Sequence, residues 1–154
     1  MKKKRSGKAD KFGKQIRYAD RRGIPFVWFV GEDGTVTVSV GTPDIGGSRA
    51  SIALMTAECL GIAYDKVRVN IVETGALGVN EPTHGSRATF ASGLAAVEAA
   101  KQAMTEMCKR AAAEWDIDAE AVEWRDGAAH PAGPNAGKFP PMSIAEIGRA
   151  SCRE

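Results

Sequence analysis

The sequence predicts an α+β fold built from a βαβ unit, a long helix and a small hairpin. Three observations predict it. TVTVSV (35–40) alternates as a half-buried strand does, and KVRVNIVE (66–73) is a second β-rich run with a helical pattern between the two. From about 86 to 115, apolar residues recur at three- and four-residue steps. AVEWRDGAAHP reads as two short strands turning at Asp126-Gly127.

Taken in order, MKKKRSGK reads as a disordered basic start, with residues 1–9 as a free arm. Residues 10–22 read as a helix, because Phe12, Ile16 and Ala19 share a face, and Gly23 ends it. IPFVWFV (24–30) is a short buried strand and GEDG a turn. The valines of TVTVSV lie on one face. GTPDIGG is a loop, and a helix follows over 48–60, stopped by Gly61. Strand, helix, strand with short connections favours a parallel pair with a right-handed crossover. TGALGVNEPTHG (74–85) is a long loop of the kind that carries function. In the long helix, Phe90, Leu94, Val97, Met104, Cys108, Ala111 and Trp115 read as one core stripe. GPNAGKFPP is a loop, and Ser143 with Glu146 makes a capping box for a last helix that is cut short.

The 154 residues suffice for one domain with a real core. No apolar run is long enough for a membrane span, and the initial lysines lead into no signal-peptide segment. Cys59, Cys108 and Cys152 form no CxxC pair, which suits thiols in a reducing compartment, hence the cytoplasm. His84 and His130 are isolated, so no metal held directly by protein ligands is expected. The net charge of +2 hides an asymmetry. Residues 1–22 carry +8, and the remainder −6. Such an arm suits RNA phosphates, and the acidic remainder does not.

GSRAS (47–51) and GSRAT (85–89) each open a helical pattern. A helix start has unpaired N–H groups and about half a positive charge, so it attracts anions. Glycine admits a ligand close to the backbone, a hydroxyl can bond it, and arginine can fork onto phosphate oxygens. Each turn alone also reads as an ordinary serine cap with its arginine in water. Two copies favour one phosphate-bearing ligand held between two helix starts. Neither a Walker loop nor a dinucleotide fingerprint is present.

The order of the text goes further. DGTVTVSVGTPDIGGSRASIALMTAECLGI, then KVRVNIVET, then THGSRATFASGLAAVEAAKQA, resembles the large subunit of molybdenum hydroxylases, the xanthine dehydrogenase and aldehyde oxidase family. VEWRDGAAHPAG and NAGKFPPMSIAEI continue the resemblance, which covers about 33–146. It implies a partial molybdopterin-binding domain over 34–146. It places Gly46, Gly47 and Ser48 on a first cofactor loop, and Gly85, Ser86, Arg87 and Thr89 on a second. The implied parent is an oxidoreductase that hydroxylates an aldehyde or N-heterocycle carbon with oxygen from water, partnered by iron–sulfur and flavin subunits or domains. Many members have Gly-Gln-Gly in the first loop. Here Gly47 and Ser48 stand where the Gln and second Gly would be. The family's general-base Glu lies near the end of a much longer chain and has no counterpart in this sequence. The expectation is a fragment that contributes part of the cofactor site and is inactive alone.

KFGKQIRYADRRGIPFVWFVGEDG (about 10–34) is similar to the anticodon-binding domain of histidyl-tRNA synthetase, which implies an RNA-binding origin for the basic arm. IGRASCRE (147–154) resembles a translated sequencing adapter. The expected organisation is a basic arm over 1–9, a foreign helix–strand piece over 10–33, the cofactor-binding piece over 34–146 and an artefactual tail: a chimeric reading frame. Two other readings stand beside it. One is a small RNA-binding module, and the other a stand-alone βαβ protein that binds a phosphate ligand.

Overall fold

The computed structural model describes residues 27–31, 33–71 and 82–150. The arm over 1–9, the helix over 10–22, most of the 74–85 loop and the last four residues lie outside that set.

The chain is mixed α and β, as the periodicities predict. β1 (Val27–Val30) turns through Gly31–Thr35 into β2 (Val36–Val40) and pairs with it antiparallel, Val27 opposite Ser39 and Val30 opposite Val36. Asp33 holds the turn: its carboxylate accepts the Thr35 N–H at 2.9 Å and the Thr35 hydroxyl at 2.8 Å. α1 (Ser48–Leu60) crosses over to β3 (Val67–Ile71), which lies parallel to β2 with Val36 opposite Val67 and Val40 opposite Ile71. The βαβ unit is therefore the predicted one, and the sheet order is β1-β2-β3.

Alternation places Val36, Val38 and Val40 in the core at 0–1% exposure. α1 lays Ile52, Ala53, Thr56, Ala57 and Leu60 against them, a single face at helical spacing. Gly61 ends the helix in the left-handed conformation at φ 70°. The Ile62 N–H reaches Ala57 O at 3.0 Å, and the Gly61 N–H reaches Glu58 O at 3.3 Å.

α2 (Gly93–Trp115) packs on α1, and its opening differs from the expected α-helix: Ala88–Ser92 form a π turn. Its buried face is also rotated from the predicted stripe. Phe90 and Leu94 are 78% and 56% exposed, whereas Gly93, Ala96, Ala100, Met107, Ala111, Ala112 and Trp115 are buried. Val97, Met104 and Cys108 are half-buried. Close helix approach is seen at the start of this face. A Cβ at Gly93 would collide with the Met55 side chain.

Beyond α2 come β4 (Val122–Arg125) and β5 (Ala128–Pro131), turning at Asp126 and Gly127 with φ 51° and 72°. This is the hairpin the Asp-Gly pair predicts. β6 (Met142–Ser143) adds to β5, giving a second sheet in the order β4-β5-β6. Trp124 on β4 donates its indole N–H to Leu60 O at 2.9 Å, satisfying a carbonyl at the end of α1. Trp115 stacks on Phe139 at 5.8 Å, closing the sheet onto α2. Ser143 and Glu146 form the predicted capping box at the start of α3 (Ile144–Ala150): Glu146 Oε2 accepts the Ser143 N–H at 2.8 Å and its hydroxyl at 2.6 Å. Among the described residues no helix is long and apolar enough to cross a membrane.

Candidate functional site

The two GSRA turns share one end of the molecule because α1 and α2 run parallel. Met55 faces Gly93. One turn later, Cys59 Sγ reaches Val97 O at 3.8 Å. Both helix starts, with their partial positive charges, therefore point the same way, opposite the Trp124 hairpin. A buried hydrogen bond ties the two loops: Thr42 Oγ1 and Ser92 Oγ lie 2.9 Å apart, with the residues 5% and 6% exposed.

The repeat in the text is not the repeat in the backbone. The letters match at a spacing of 38, Ser48 with Ser86. The backbone matches at 39. Gly46-Gly47 and Gly85-Ser86 are the left-handed pairs, with φ of 60°, 79°, 55° and 61°. The Ser48 N–H bonds Ile45 O at 3.2 Å as the Arg87 N–H bonds His84 O at 2.9 Å. The Ser51 N–H bonds Gly47 O as the Phe90 N–H bonds Ser86 O. Gly47 thus corresponds to Ser86, Ser48 to Arg87 and Asp44 to Thr83. Neither serine is the N-cap of its helix: Gly47 is the N-cap of α1 and Arg87 that of the π turn, and neither makes a cap with its own side chain.

The two turns then differ in chemistry. At the first, Ser48 is 2% exposed. Its hydroxyl accepts the Ile45 N–H at 3.2 Å and donates to Pro43 O at 3.3 Å. Asp44 was not singled out from sequence, yet it organises this start. Asp44 Oδ1 accepts the Arg49 N–H at 3.1 Å, and Oδ2 takes the Arg49 guanidinium at 3.2 and 3.0 Å. The Arg49 N–H, opposed in part by burial and helped by its guanidinium, holds the Asp44 carboxyl below the usual range. The signal was present: an Asx residue a few positions before a helix start competes for its N–H groups.

At the second turn, Gly85, Ser86 and Thr89 are exposed and Arg87 is half-buried. The N–H groups of Ala88 and Thr89 have no acceptor among the described residues. A Cβ built on Gly46, Gly47 or Gly85 would meet nothing within 4 Å, so all three present open backbone. Among the described residues no cluster of His, Cys, Asp or Glu could hold a metal ion. Open glycine backbone, two N–H groups that meet no acceptor among the described residues, and Arg87 at a positive helix start fit the phosphate end of a pterin cofactor.

Comparison with known proteins bears on both ends of the chain. Residues 4–44 match the anticodon binding domain. A stretch of 25 residues is 80% identical to histidine–tRNA ligase of Micrococcus luteus, covering 16% of this chain and 6% of that one. A stretch of 24 residues is 88% identical to the Cutibacterium acnes enzyme, covering 16% and 5%. Among solved structures, Cu,Mo-CO dehydrogenase superposes with a TM-score of 0.67 at 20% identity, over 94% of this chain and 22% of that one. Quinoline 2-oxidoreductase from Pseudomonas putida 86 does so with 0.64 at 23%, over 81% and 16%. The chain thus spans about a fifth of these structures. β1 lies inside both matched ranges, at the seam between the two resemblances. Residues 27–153 match the molybdopterin cofactor-binding domain, and the chain belongs to that family.

Proposed function

We propose that this chain supplies one wall of the molybdopterin site in a larger oxidoreductase, which hydroxylates an aldehyde or N-heterocycle carbon with oxygen from water. The observation that carries the reading is the pairing of parallel helix starts, one of which leaves the Ala88 and Thr89 N–H groups without acceptors among the described residues. Gly85, Ser86, Arg87 and Thr89 would hold the cofactor's phosphate. Gly46 and Gly47 would let it approach the backbone, and Ser48 would brace that loop from beneath. When bound, the cofactor supplies the metal and dithiolene at which the chemistry occurs. The chain's own residues bind and orient its anionic end.

In this reading the piece over 34–146 works only with the remainder of a large subunit and with iron–sulfur and flavin partners, in the cytoplasm. The piece over 10–33 and the tail over 147–154 carry the other resemblances, although the family match runs over 27–153 and β1 and Ile147 pack with the unit, and in this reading the chain is a chimeric fragment. The test is a graft: residues 34–146 replace the matching segment of a full-length molybdenum hydroxylase, and molybdenum and pterin are assayed. Retained cofactor supports the reading. A folded graft without cofactor opposes it.

The ligase identities favour a second reading for the other end, in which the basic arm binds RNA. Its signature would be tRNA affinity that falls steeply with salt and is lost when residues 1–22 are removed.

A further inference from the structure

Four of the six large apolar side chains that stand exposed among the described residues gather at one end of the molecule. Phe90 and Leu94, 78% and 56% exposed, lie one helical turn apart on α2, and Phe90 directly follows Thr89 of the second turn. Exposed Ile45 directly precedes Gly46 of the first turn. Exposed Ile71 closes β3 opposite Val40, where β2 gives way to the first loop. The helix starts lie at that same end, because α1 returns antiparallel to β2 and α2 runs parallel to α1. An apolar rim set around open glycine backbone marks a face that another polypeptide covers. The N-terminal arm has the wrong charge for it: residues 1–22 carry +8, and each helix start brings about half a positive charge to this end. A second copy, paired face to face about a twofold axis, would bring four such starts together. The chain spans about a fifth of the structures it superposes on, so most of a full-size large subunit is left to supply the cover.

We propose that Ile45, Ile71, Phe90 and Leu94 form the docking face for the remainder of the large subunit, which lays an apolar segment free of basic clusters against them. Docking there sets the facing wall of the cofactor site beside both turns. The inference rests on the reading of this chain as one wall of that site. It also accounts for the apolar row on α2: the row avoids water, but this chain alone does not cover it.

The experiment is hydroxyl-radical footprinting read by mass spectrometry, on the full-length chain and on the grafted molybdenum hydroxylase with and without cofactor. In the chain alone, Phe90 and Leu94 should react as exposed side chains do at every protein concentration, with exposed Tyr64 as the reference. In the cofactor-free graft their modification should slow roughly tenfold, as 78% exposure falls to that of a core residue. Phe90→Ser combined with Leu94→Ser should lower the Tm of the graft and leave that of the chain alone unmoved, and Phe90→Leu should preserve the graft. Protection already present in the chain alone overturns the proposal. If it grows with concentration the face belongs to a second copy, and if it does not the chain's own remaining residues cover it. Protection that appears in the graft only with cofactor bound overturns it too, because the cofactor is then the cover. A graft that retains cofactor while Phe90 and Leu94 stay fully reactive sinks the dock and leaves the cofactor reading standing. A graft protected at both residues but devoid of molybdenum and pterin keeps the dock and sinks the cofactor reading. A graft that does not assemble counts against the dock, which requires a matching face.

Discussion

Thr42 and Ser92 share a buried hydrogen bond of 2.9 Å across fifty residues of chain, joining the loop before α1 to the π turn before α2. The bond holds the two helix starts in one register. Ser92→Ala and Thr42→Val should each destabilise the chain. The double-mutant cycle should return a coupling of about 0.5–1.5 kcal/mol by denaturant unfolding. A coupling of zero would mean the loops are positioned by other contacts.

Ser86 sits at φ 61° where its structural counterpart is glycine, Gly47 at φ 79°. A left-handed serine costs roughly 1–2 kcal/mol, so Ser86→Gly should stabilise the chain by about 1 kcal/mol. If Ser86 were a conventional side-chain cap, the same change would give no gain. Thermal unfolding distinguishes the two.

How much of this was legible in the letters depends on how local the physics is. The bounds of α1 and the turn at Asp126-Gly127 are written locally, through Gly61 past one helix end and the demand for two positive φ angles in a tight hairpin. The one-residue slip between the two GSRA copies is not, because no letter states that Ser86 adopts φ 61°. The engagement of Asp44 required knowing which donors α1 leaves nearby. Phe90 and Leu94 misled for another reason. Apolar residues at helical spacing mark a face that avoids water, and do not say whether this chain covers it.

That correction is testable. Phe90→Ser and Leu94→Ser should change stability by less than about 0.5 kcal/mol in denaturant unfolding, as exposed positions do. Ala100→Leu, at a fully buried position, should cost roughly 1–3 kcal/mol by overpacking. The reverse order of effects would restore the stripe expected from sequence.

The capping box gives a pH dependence. The Ser143 hydroxyl first, then its N–H, holds the Glu146 carboxyl below the usual carboxylate range. A depressed folded value means that the contribution is complete above the ordinary carboxylate range and is lost as pH falls through the depressed value. Ser143→Ala should therefore raise the Glu146 titration toward the ordinary range in carboxyl ¹³C spectra. It should cost about 0.5–2 kcal/mol near neutrality and less in acid. A Glu146 titration unmoved by the substitution would contradict this.

The central claim is that the Gly85–Thr89 turn cradles the cofactor's phosphate, and Arg87→Ala in the grafted full-length enzyme tests it most directly. An arginine at the first turn of a helix lies at the positive end of the dipole, so the stability of each protein is measured without and with cofactor and the difference is compared. The loss of one charge-assisted contact, roughly 1.5–3 kcal/mol, should weaken molybdopterin binding by about one to two decades. The stabilisation that cofactor confers should shrink with it. Molybdenum and pterin content equal to that of the unsubstituted graft would contradict the cradle.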